Sequence, residues 1–326
     1  CKVLEEGYTV TSIKTRERFI MQKALGKFAD DDFTRRKVPH QDGPLDKAGI
    51  PLCDARRFGL SGAPVYNAVA IAQYALAQHN LALEGNRKAE EIFMRCAQWL
   101  EDNAVEEAEG RFLIWPYNYP LRTPSVPAGW ISGMAQGEGL SVLARSFYRT
   151  GSSRTAAVAE RVAGSFLYSV EEGGVISKLS GGRCFIEEVA HPPVLHILNG
   201  CQVALIGLFE YVSVFKDTRL QSTLEACVQG VEDLLPRFDT GYWSLYSLGL
   251  RWHLSSRHYH RVHVRLFRDL GNLLNNIRFL NCADRWESYQ LSMLNRIRHD
   301  TTEFVQLNAR RTITILQLNS LKYRLA

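Results

Sequence analysis

Residues 133–151, GMAQGEGLSVLARSFYRTG, decide the fold, because two other stretches of the chain resemble them. Those stretches are residues 70–80, AIAQYALAQHN, and residues 196–215, HILNGCQVALIGLFEYVSVF. Each contains an amide side chain near the start of an apolar helical pattern, and the three amides align at 63-residue steps: Gln73, Gln136 and Asn199. Similarity at a fixed period indicates a repeat architecture. We therefore predict a chain built from repeated helical units.

Each apolar helix is followed by a second predicted helix and then by a short β-like stretch rich in glycine and aromatic residues. In the second helices the apolar residues recur at three- and four-residue steps, as one buried face requires. These second helices cover residues 88–101, 155–170 and 219–235. The β-like stretches begin at Gly110, Gly181 and Asp239, and a fourth unit is predicted to begin near His258.

Paired antiparallel helices of this length can close into an (α/α) toroid or incomplete barrel, in which loops at one rim form the site. The alternative architecture is an open solenoid of helical repeats. Polar and aromatic residues in the hairpins favour a cupped rim, so the predicted class is mainly α, an (α/α) toroid of helix–helix–hairpin repeats. We assign residues 63–297 to this domain, residues 1–62 to an N-terminal arm or partial preceding element, and residues 298–326 to an amphipathic helical tail.

The composition is that of an ordinary soluble globular protein, with 46% hydrophobic and 22% charged residues. A net charge of +5 is too small to indicate a dedicated nucleic-acid-binding protein. No stretch approaches the roughly 20 uninterrupted apolar residues of a membrane helix, so no membrane span is predicted. The tail from residue 298 is expected to pack on the body or on a second copy of the chain, which makes a homodimer one expected assembly.

Cysteine usage and the first residues bear on the compartment. The seven cysteines include no CxxC pair, which argues against a disulfide framework and mildly favours a reducing environment. The opening sequence, CKVLEEGYTV, is polar and acidic and does not resemble a signal peptide. A cytoplasmic location is slightly favoured on these grounds, and a trimmed or partial N-terminus is expected.

If the repeats superpose, the loops after the helix pairs bring aromatic, acidic and basic side chains to one rim. Aromatic faces stack on sugar rings, and cations neutralise the carboxylates of uronic acids. The predicted partner is therefore an acidic polysaccharide. The rim side chains are Tyr117, Tyr119 and Arg122 from the first loop, Glu187 and Glu188 from the second, and Tyr246, Arg257, Tyr259, His260 and His263 from the third loop and the helix after it.

Two other features have simpler interpretations than a metal or phosphate site. The cluster of His258, His260 and His263 lacks a clear fourth ligand and has arginines among its members, so no zinc site is predicted. The run Gly-Glu-Gly at residues 137–139 is too short and too acidic for a phosphate loop, and it is predicted to mark close helix packing.

Several blocks of the sequence resemble, in order and spacing, the catalytic C-terminal domain of the D-glucuronyl C5-epimerases. They are WISGMAQGEGLSVLARSFYRTG at residues 130–151 with YPLRTPSVPAG before it, the HILNG and ALIGLFEY blocks, DTG-x4-Y ending at Tyr246, and YHxxH at Tyr259. The likeness runs from Tyr66 to Tyr289. It implies an enzyme that inverts C5 of glucuronic acid within a polymer such as heparosan. Because the family needs no redox cofactor, no cofactor and no metal are expected.

The resemblance also implies roles for individual residues. Tyr246 and Tyr259 fall on two catalytic tyrosines, Glu188 falls on a catalytic glutamate, and Asn199 falls on a substrate-site asparagine. Removal of the C5 proton creates an enediolate-like species, and inversion needs a proton delivered to the opposite face, hence two acid–base groups. The other residues expected to bind substrate are Gln136, Tyr117, Tyr119, Arg122, His260, His263 and Arg257.

Two positions depart from the family pattern. Val189 stands where the family has a tyrosine after the glutamate pair, and Gly249 stands where it has an arginine three residues after the first catalytic tyrosine. Arg251 or Arg257 could replace that arginine. Two alternative functions stay open. One is a uronate polysaccharide lyase, which shares proton abstraction at C5. The other, which the two departures favour, is a non-catalytic glycan-binding or assembly protein with a decayed site. A hydrolase is disfavoured because only residues 187–188 offer clear acids.

Overall fold

The computed structural model describes residues 44–121, 125–249 and 253–306. In these residues four helix pairs follow one another, and a two-stranded antiparallel hairpin follows each of the first three pairs. The pairs are α1 (Ala68–Leu83) with α2 (Arg87–Asn103), α3 (Gly133–Thr150) with α4 (Ser153–Ala163), α5 (Leu198–Phe215) with α6 (Thr218–Phe238), and α7 (Arg257–Leu274) with α8 (Ile277–Leu291). The hairpins are β1 (Val105–Glu106) with β2 (Leu113–Ile114), β3 (Ile176–Lys178) with β4 (Cys184–Ile186), and β5 (Leu245–Ser247) with β6 (His253–Leu254). Residues 293–306 form a further helix, called here the 293–306 helix.

The predicted order of helix, helix and hairpin is confirmed, but the predicted 63-residue register is wrong. The first helices of the first three pairs begin at Ala68, Gly133 and Leu198, at steps of 65 residues. The three aligned amides therefore occupy the sixth, fourth and second positions of their helices. The three amides therefore share a side-chain type but not a position in the fold. In the structure the Gln73 amide donates a hydrogen bond to Glu138, 65 residues further along, at 3.0 Å.

Polar caps determine where the helices begin. The side chain of Asn67 accepts a hydrogen bond from the backbone N–H of Ala70, and that of Ser132 accepts one from Ala135. Such caps satisfy backbone donors that have no partner within the first turn. Four more helices, α2, α4, α7 and α8, begin in the same way, at Asn86, Ser152, Ser256 and Asn276.

The chain divides into two compact units. Among the described residues, unit 1 comprises those from 44 to 196 and from 200 to 231, and unit 2 comprises residues 197–199 and those from 232 to 306. The described part of the predicted N-terminal arm, residues 44–62, belongs to unit 1, where Cys53 and Val65 exchange backbone hydrogen bonds of 2.8 and 2.9 Å. In unit 2 the 293–306 helix follows α8. The rest of the arm, and the predicted tail beyond residue 306, lie outside the described residues.

Helices α3 and α5 approach so closely that their backbones touch. A Cβ atom added to Gly207 would lie 1.9 Å from the carbonyl oxygen of Gly137, and one added to Gly137 would lie 2.5 Å from the Cα of Ala204. A Cβ on Gly139 would lie 2.3 Å from the ring of Trp115. Only glycine allows such approaches. The prediction that residues 137–139 mark close helix packing is confirmed.

A buried ion pair lies between the same two helices. The side chains of Arg145 on α3 and Glu210 on α5 are 1% and 2% exposed, and Nη2 of the arginine lies 2.8 Å from a carboxylate oxygen. Arg145 also donates to the carbonyl oxygen of Ser141 at 3.1 Å. Breaking a buried pair leaves an uncompensated charge in a medium that solvates it poorly. The pair therefore ties the two helices together at one register.

Among the described helices, α5 alone has the length and apolar composition that could cross a membrane. Of this helix, 78% is buried within the protein, as for a core helix. It also contains Glu210, which is paired with Arg145.

We predict that Glu210→Gln lowers the free energy of unfolding by about 3 kcal/mol, because the guanidinium of Arg145 then stays buried without a counter-charge. Urea unfolding followed by circular dichroism measures the change. The matched control is Glu287→Gln, which removes an exposed partner of Arg268 and should cost less than about 1 kcal/mol. Equal losses for the two variants would contradict the role given to the buried pair.

Candidate functional site

A cavity of about 200 Å³ lies in unit 2. The third hairpin, the start of α7 and the 293–306 helix form its walls. This combination of aromatic and polar side chains around a concave space is typical of small-molecule and sugar sites. The described residues that line it are Tyr246, His253, Leu254, Ser256, Tyr259, Glu303 and Gln306.

The two tyrosines in this cavity are in contact with each other. The ring centroids of Tyr246 and Tyr259 are 4.8 Å apart, with the rings edge to face at 67°. The ring of His253 also contacts Tyr246, with 4.8 Å between the centroids. The sequence prediction that Tyr246 and Tyr259 belong to one site thus has a geometric basis in unit 2. We call this pair of phenol rings the tyrosine wall.

Local structure explains the position of each tyrosine. Tyr246 is the middle residue of β5, and because strand side chains alternate, it points away from its buried neighbours Leu245 and Ser247. Tyr259 is the third residue of α7, and Ser256 caps that helix by accepting a hydrogen bond from the backbone N–H of Tyr259. Tyr259 is 36% exposed, so its ring is reachable from solvent.

The contact between the phenol rings limits their chemistry. A sugar ring between two flanking groups needs about 7 Å, since each carbon–carbon contact takes about 3.5 Å. Rings 4.8 Å apart leave no such gap. A sugar ring therefore does not fit between the two phenol rings, and it would pack against the tyrosine wall from the side that is open to the cavity.

The glutamate pair after β4 is split between two environments in unit 1. Glu187 is fully buried, accepts hydrogen bonds from Ser177 Oγ at 2.5 Å and from the backbone N–H of His196 at 2.9 Å, and also contacts the His196 ring. Glu188 is partly exposed and lies so close to Gly200 that a Cβ there would be 2.4 Å from its own Cβ. Of the two glutamates, only Glu188 has surface that is open to solvent. Val189, which follows, is buried.

Gln136 and the tyrosines of the first loop have structural roles in unit 1. The Gln136 amide accepts a hydrogen bond from the backbone N–H of Trp115 and donates to the carbonyl oxygen of Leu113, which holds the first hairpin onto α3. Tyr117 stacks on Trp130 at 4.2 Å, and Tyr119 accepts a hydrogen bond from Asn67. Burial raises the pKa of both phenols above the usual value near 10. All three expected substrate residues are buried, so that expectation is not supported.

His260 and His263 form part of the core of unit 2. The hydroxyl of Ser244 lies 2.8 and 2.9 Å from their Nδ1 atoms, and His260 stacks on Trp243 with 4.1 Å between centroids. Burial lowers the pKa of His260 to about 4 and lowers the pKa of His263 well below its ordinary value. Both rings are neutral near pH 7 and have no solvent-exposed surface. Their burial gives no support to the expectation that they contact an acidic sugar.

The remaining expected residues are dispersed. Arg257 at the start of α7 is exposed and pairs with Asp300 through an Nε–Oδ1 contact of 2.9 Å. Asn199 lies in the first turn of α5 and is only 6% exposed. Gly249 lies two residues after the end of β5. Arg122 and Arg251 lie outside the described residues.

One group in the described part of the chain has the residue types of a metal site. Oxygen and nitrogen atoms of His299, Asp300 and Glu303 lie within 4.8 Å of one another. Both ring nitrogens of His299 are engaged within the protein, Nδ1 at Asp300 and Nε2 at the carbonyl oxygen of Ser255. Because both ring nitrogens already have partners within the protein, and Asp300 also pairs with Arg257, the group does not fit a metal centre.

Sequence reasoning missed Glu303 and Gln306, because the predicted tail was judged by its apolar residues. Their spacing was the available signal. His299, Glu303 and Gln306 recur at steps of four and three residues, which places them on one helix face.

Comparisons with known proteins agree with the resemblance. The sequence model of a family described as D-glucuronyl C5-epimerase C-terminus matches residues 109–288. The D-glucuronyl C5-epimerase of Caenorhabditis elegans is 30% identical over 214 residues, which are 60% of this chain and 34% of that protein. An uncharacterized protein of Methanocaldococcus jannaschii is 24% identical over 191 residues, 57% of this chain and 61% of that protein. The chain thus spans about a third of the length of the C. elegans relative.

A solved structure is similar in fold. The cellobiose 2-epimerase from Spirochaeta thermophila superposes with a TM-score of 0.54 at 14% sequence identity, over 82% of this chain and 72% of that one. Identity this low carries information about the fold alone. The predicted class, mainly α with helix pairs of the (α/α) toroid type, is confirmed.

The burial of the two histidines predicts a pH dependence of stability. The folded pKa of His260, about 4, lies below the ordinary value of 6.5, so between these values the unfolded chain binds a proton that the folded chain does not. The free energy of unfolding should therefore fall as the pH falls from 6.5 to 4, by roughly 3 kcal/mol from His260. Urea unfolding at half-unit pH steps measures this slope, which should be smaller in His260→Gln. Parallel curves for the variant and the parent would contradict the assignment.

Proposed function

The chain belongs to the family of D-glucuronyl C5-epimerase C-terminal domains, and from this premise we propose that it inverts C5 of glucuronic acid residues within a polysaccharide of the heparosan type. Family membership and the 30% identical C. elegans relative support a carbohydrate epimerase. The proposed partner is an acidic polysaccharide. A redox cofactor has no place in this proposal, because inversion at C5 proceeds by proton transfer alone.

The observation that carries the proposal is the tyrosine wall. The C5 proton lies next to a carboxylate, so its removal gives an enediolate-like species that a proton donor stabilises. A phenol, with an ordinary pKa near 10, donates a proton to such a species readily. Tyr246 and Tyr259, in edge-to-face contact at a cavity, supply two phenols at one place. We assign proton transfer on one face of the sugar to this pair.

Inversion needs a proton acceptor as well as a proton donor. Glu188 is proposed as a further acid–base residue, because the family pattern has a catalytic glutamate at this position and Glu188, unlike Glu187, is partly exposed. Near pH 7 a carboxylate of ordinary pKa is ionised and can accept a proton. A phenol of ordinary pKa is protonated and can donate one, so the two roles divide between these residue types.

The substrate carboxylate needs hydrogen-bond donors. The family arginine is replaced by Gly249, and Arg257 is paired with Asp300. His253 and Ser256 line the cavity and can both donate hydrogen bonds to a carboxylate, since even a neutral imidazole keeps one N–H. We propose these two side chains as carboxylate-binding residues in place of the missing arginine.

Solvent isotope exchange tests the proposed reaction. Incubation of a glucuronate polymer with the protein in deuterated water should place deuterium at C5, detected by proton NMR and mass spectrometry. Tyr246→Phe and Tyr259→Phe should each slow the exchange at least about a hundredfold, since each removes an acid–base group. The control is Tyr148→Phe, an exposed tyrosine on α3, which should leave the rate unchanged.

The same samples separate the alternatives. A lyase would shorten the polymer and generate an unsaturated product that absorbs ultraviolet light. A protein that binds the glycan without turnover, with binding that survives both phenylalanine substitutions, would be a binding or assembly protein. Either result, or an absence of exchange with every glucuronate polymer tried, would overturn the epimerase proposal.

A further inference from the structure

We propose that Glu303 is a substrate-contacting residue whose carboxylate accepts hydrogen bonds from sugar hydroxyls in the cavity that the tyrosine wall also lines. This inference rests on the proposed function in one respect, namely that the cavity receives a sugar. Residue 303 lies outside residues 109–288, the range that matches the family, so family membership assigns it no role. The geometry of unit 2 alone supports a role for Glu303.

The 293–306 helix turns two polar side chains toward the cavity. Glu303 and Gln306 both line it, and they are three residues apart, as neighbours on one helix face must be. The two residues between them, Phe304 and Val305, are 67% and 60% exposed. The helix therefore presents a polar face to the cavity. We call Glu303 and Gln306 the polar wall.

Contacts of the residues just before Glu303 fix this helix in place. His299 is fully buried, donates from Nε2 to the carbonyl oxygen of Ser255 at 3.0 Å, and lies 4.4 Å from the Trp243 ring. One turn later, Thr302 Oγ1 lies 3.3 Å from the hydroxyl of Tyr242. A side chain on a helix anchored in this way is held in a defined position, which substrate contacts require.

The tyrosine wall and the polar wall of the cavity complement each other chemically. Aromatic rings pack against the apolar face of a sugar, and a carboxylate accepts charge-assisted hydrogen bonds from two hydroxyls at once. Tyr246 and Tyr259 supply the rings, and Glu303 supplies the carboxylate.

The charge of Glu303 also determines orientation. An ionised carboxylate repels the carboxylate of a uronic acid within the same small cavity, because like charges a few ångströms apart repel each other. The sugar should therefore present a hydroxyl edge to Glu303 and place its own carboxylate away from the polar wall. On this view Glu303 determines which edge of the sugar enters, in addition to contributing affinity.

Binding and turnover of a glucuronate-containing oligosaccharide of the heparosan type, measured on the full chain, test the inference. Glu303→Gln should weaken binding in titration calorimetry about tenfold, since a neutral amide replaces a charge-assisted acceptor. If the protein turns the oligosaccharide over, KM should rise by a similar factor while kcat stays within about twofold, the signature of lost substrate binding. Phe304→Ala, on the exposed face of the same helix, is the matched control and should behave like the parent.

The outcomes separate the two proposals. If the parent binds and Glu303→Gln binds equally well with an unchanged melting temperature, this inference is wrong, whatever the exchange experiment gives. If the parent binds but places no deuterium at C5, the epimerase proposal fails, and the loss of affinity in Glu303→Gln still supports the polar wall. Loss of binding in Phe304→Ala to the same extent as in Glu303→Gln would overturn the inference, because helix position alone would then explain the effect. If the parent does not bind the oligosaccharide, both proposals are overturned.

Discussion

The contact between the backbones of α3 and α5 is the constraint on which the architecture of unit 1 depends. Gly137 and Gly207 let the two helices touch, and no side chain larger than hydrogen fits at either position. At so short a separation the helices cannot slide past each other, and the pairing of Arg145 with Glu210 specifies the same register through charge. A buried ion pair contributes little net stability compared with apolar packing, but it strongly penalises any arrangement that separates the charges. The glycines thus permit the contact, and the ion pair makes it specific.

Much of the fold could be predicted from the sequence, because helix pairs with one buried face leave a clear periodicity. The repeat step could not be predicted as well. Gln73, Gln136 and Asn199 look equivalent as residue types, yet Gln73 hydrogen-bonds a neighbouring helix, Gln136 holds a hairpin, and Asn199 lies in the first turn of its helix. An amide can satisfy buried backbone groups in many geometries, so its recurrence says little about position. The buried pairs Gln73–Glu138 and Arg145–Glu210, each 65 residues apart, match the step between the helices and are the better guide to register.

The candidate site shows the same contrast between residue type and position. Tyr246 and Tyr259 were identified from blocks in which each residue keeps its neighbours, and the structure places their rings in contact. His260 and His263 lie in the same block as Tyr259, but on α7 they share a face with Phe267 at steps of three and four residues, and that face is buried. The helical periodicity, applied to the histidines, would have placed them in the core. Glu303 and Gln306 escaped notice because the tail had no motif, and polar residues on a helix usually face solvent.

A single buried network in unit 2 supports both walls of the cavity, and this links its stability to its chemistry. The hydroxyl of Ser244 joins His260 and His263 one residue before β5, the strand that carries Tyr246. The carbonyl oxygen of Ser255, just after β6, accepts hydrogen bonds from Trp243 Nε1 at 2.9 Å and from His299 Nε2 at 3.0 Å, and the second of these bonds fixes the helix that carries Glu303. The buried imidazole of His260 suits this role, since it donates from Nε2 to the carbonyl oxygen of Trp286 and accepts at Nδ1 from the N–H of Ser244 without bringing a charge into the core. Protonation of His260 would remove the acceptor that receives the N–H of Ser244, so the strand and its tyrosine would lose their support together. His260 and His263, which the motif suggested as contacts for an acidic sugar, are buried and support the strand that carries Tyr246.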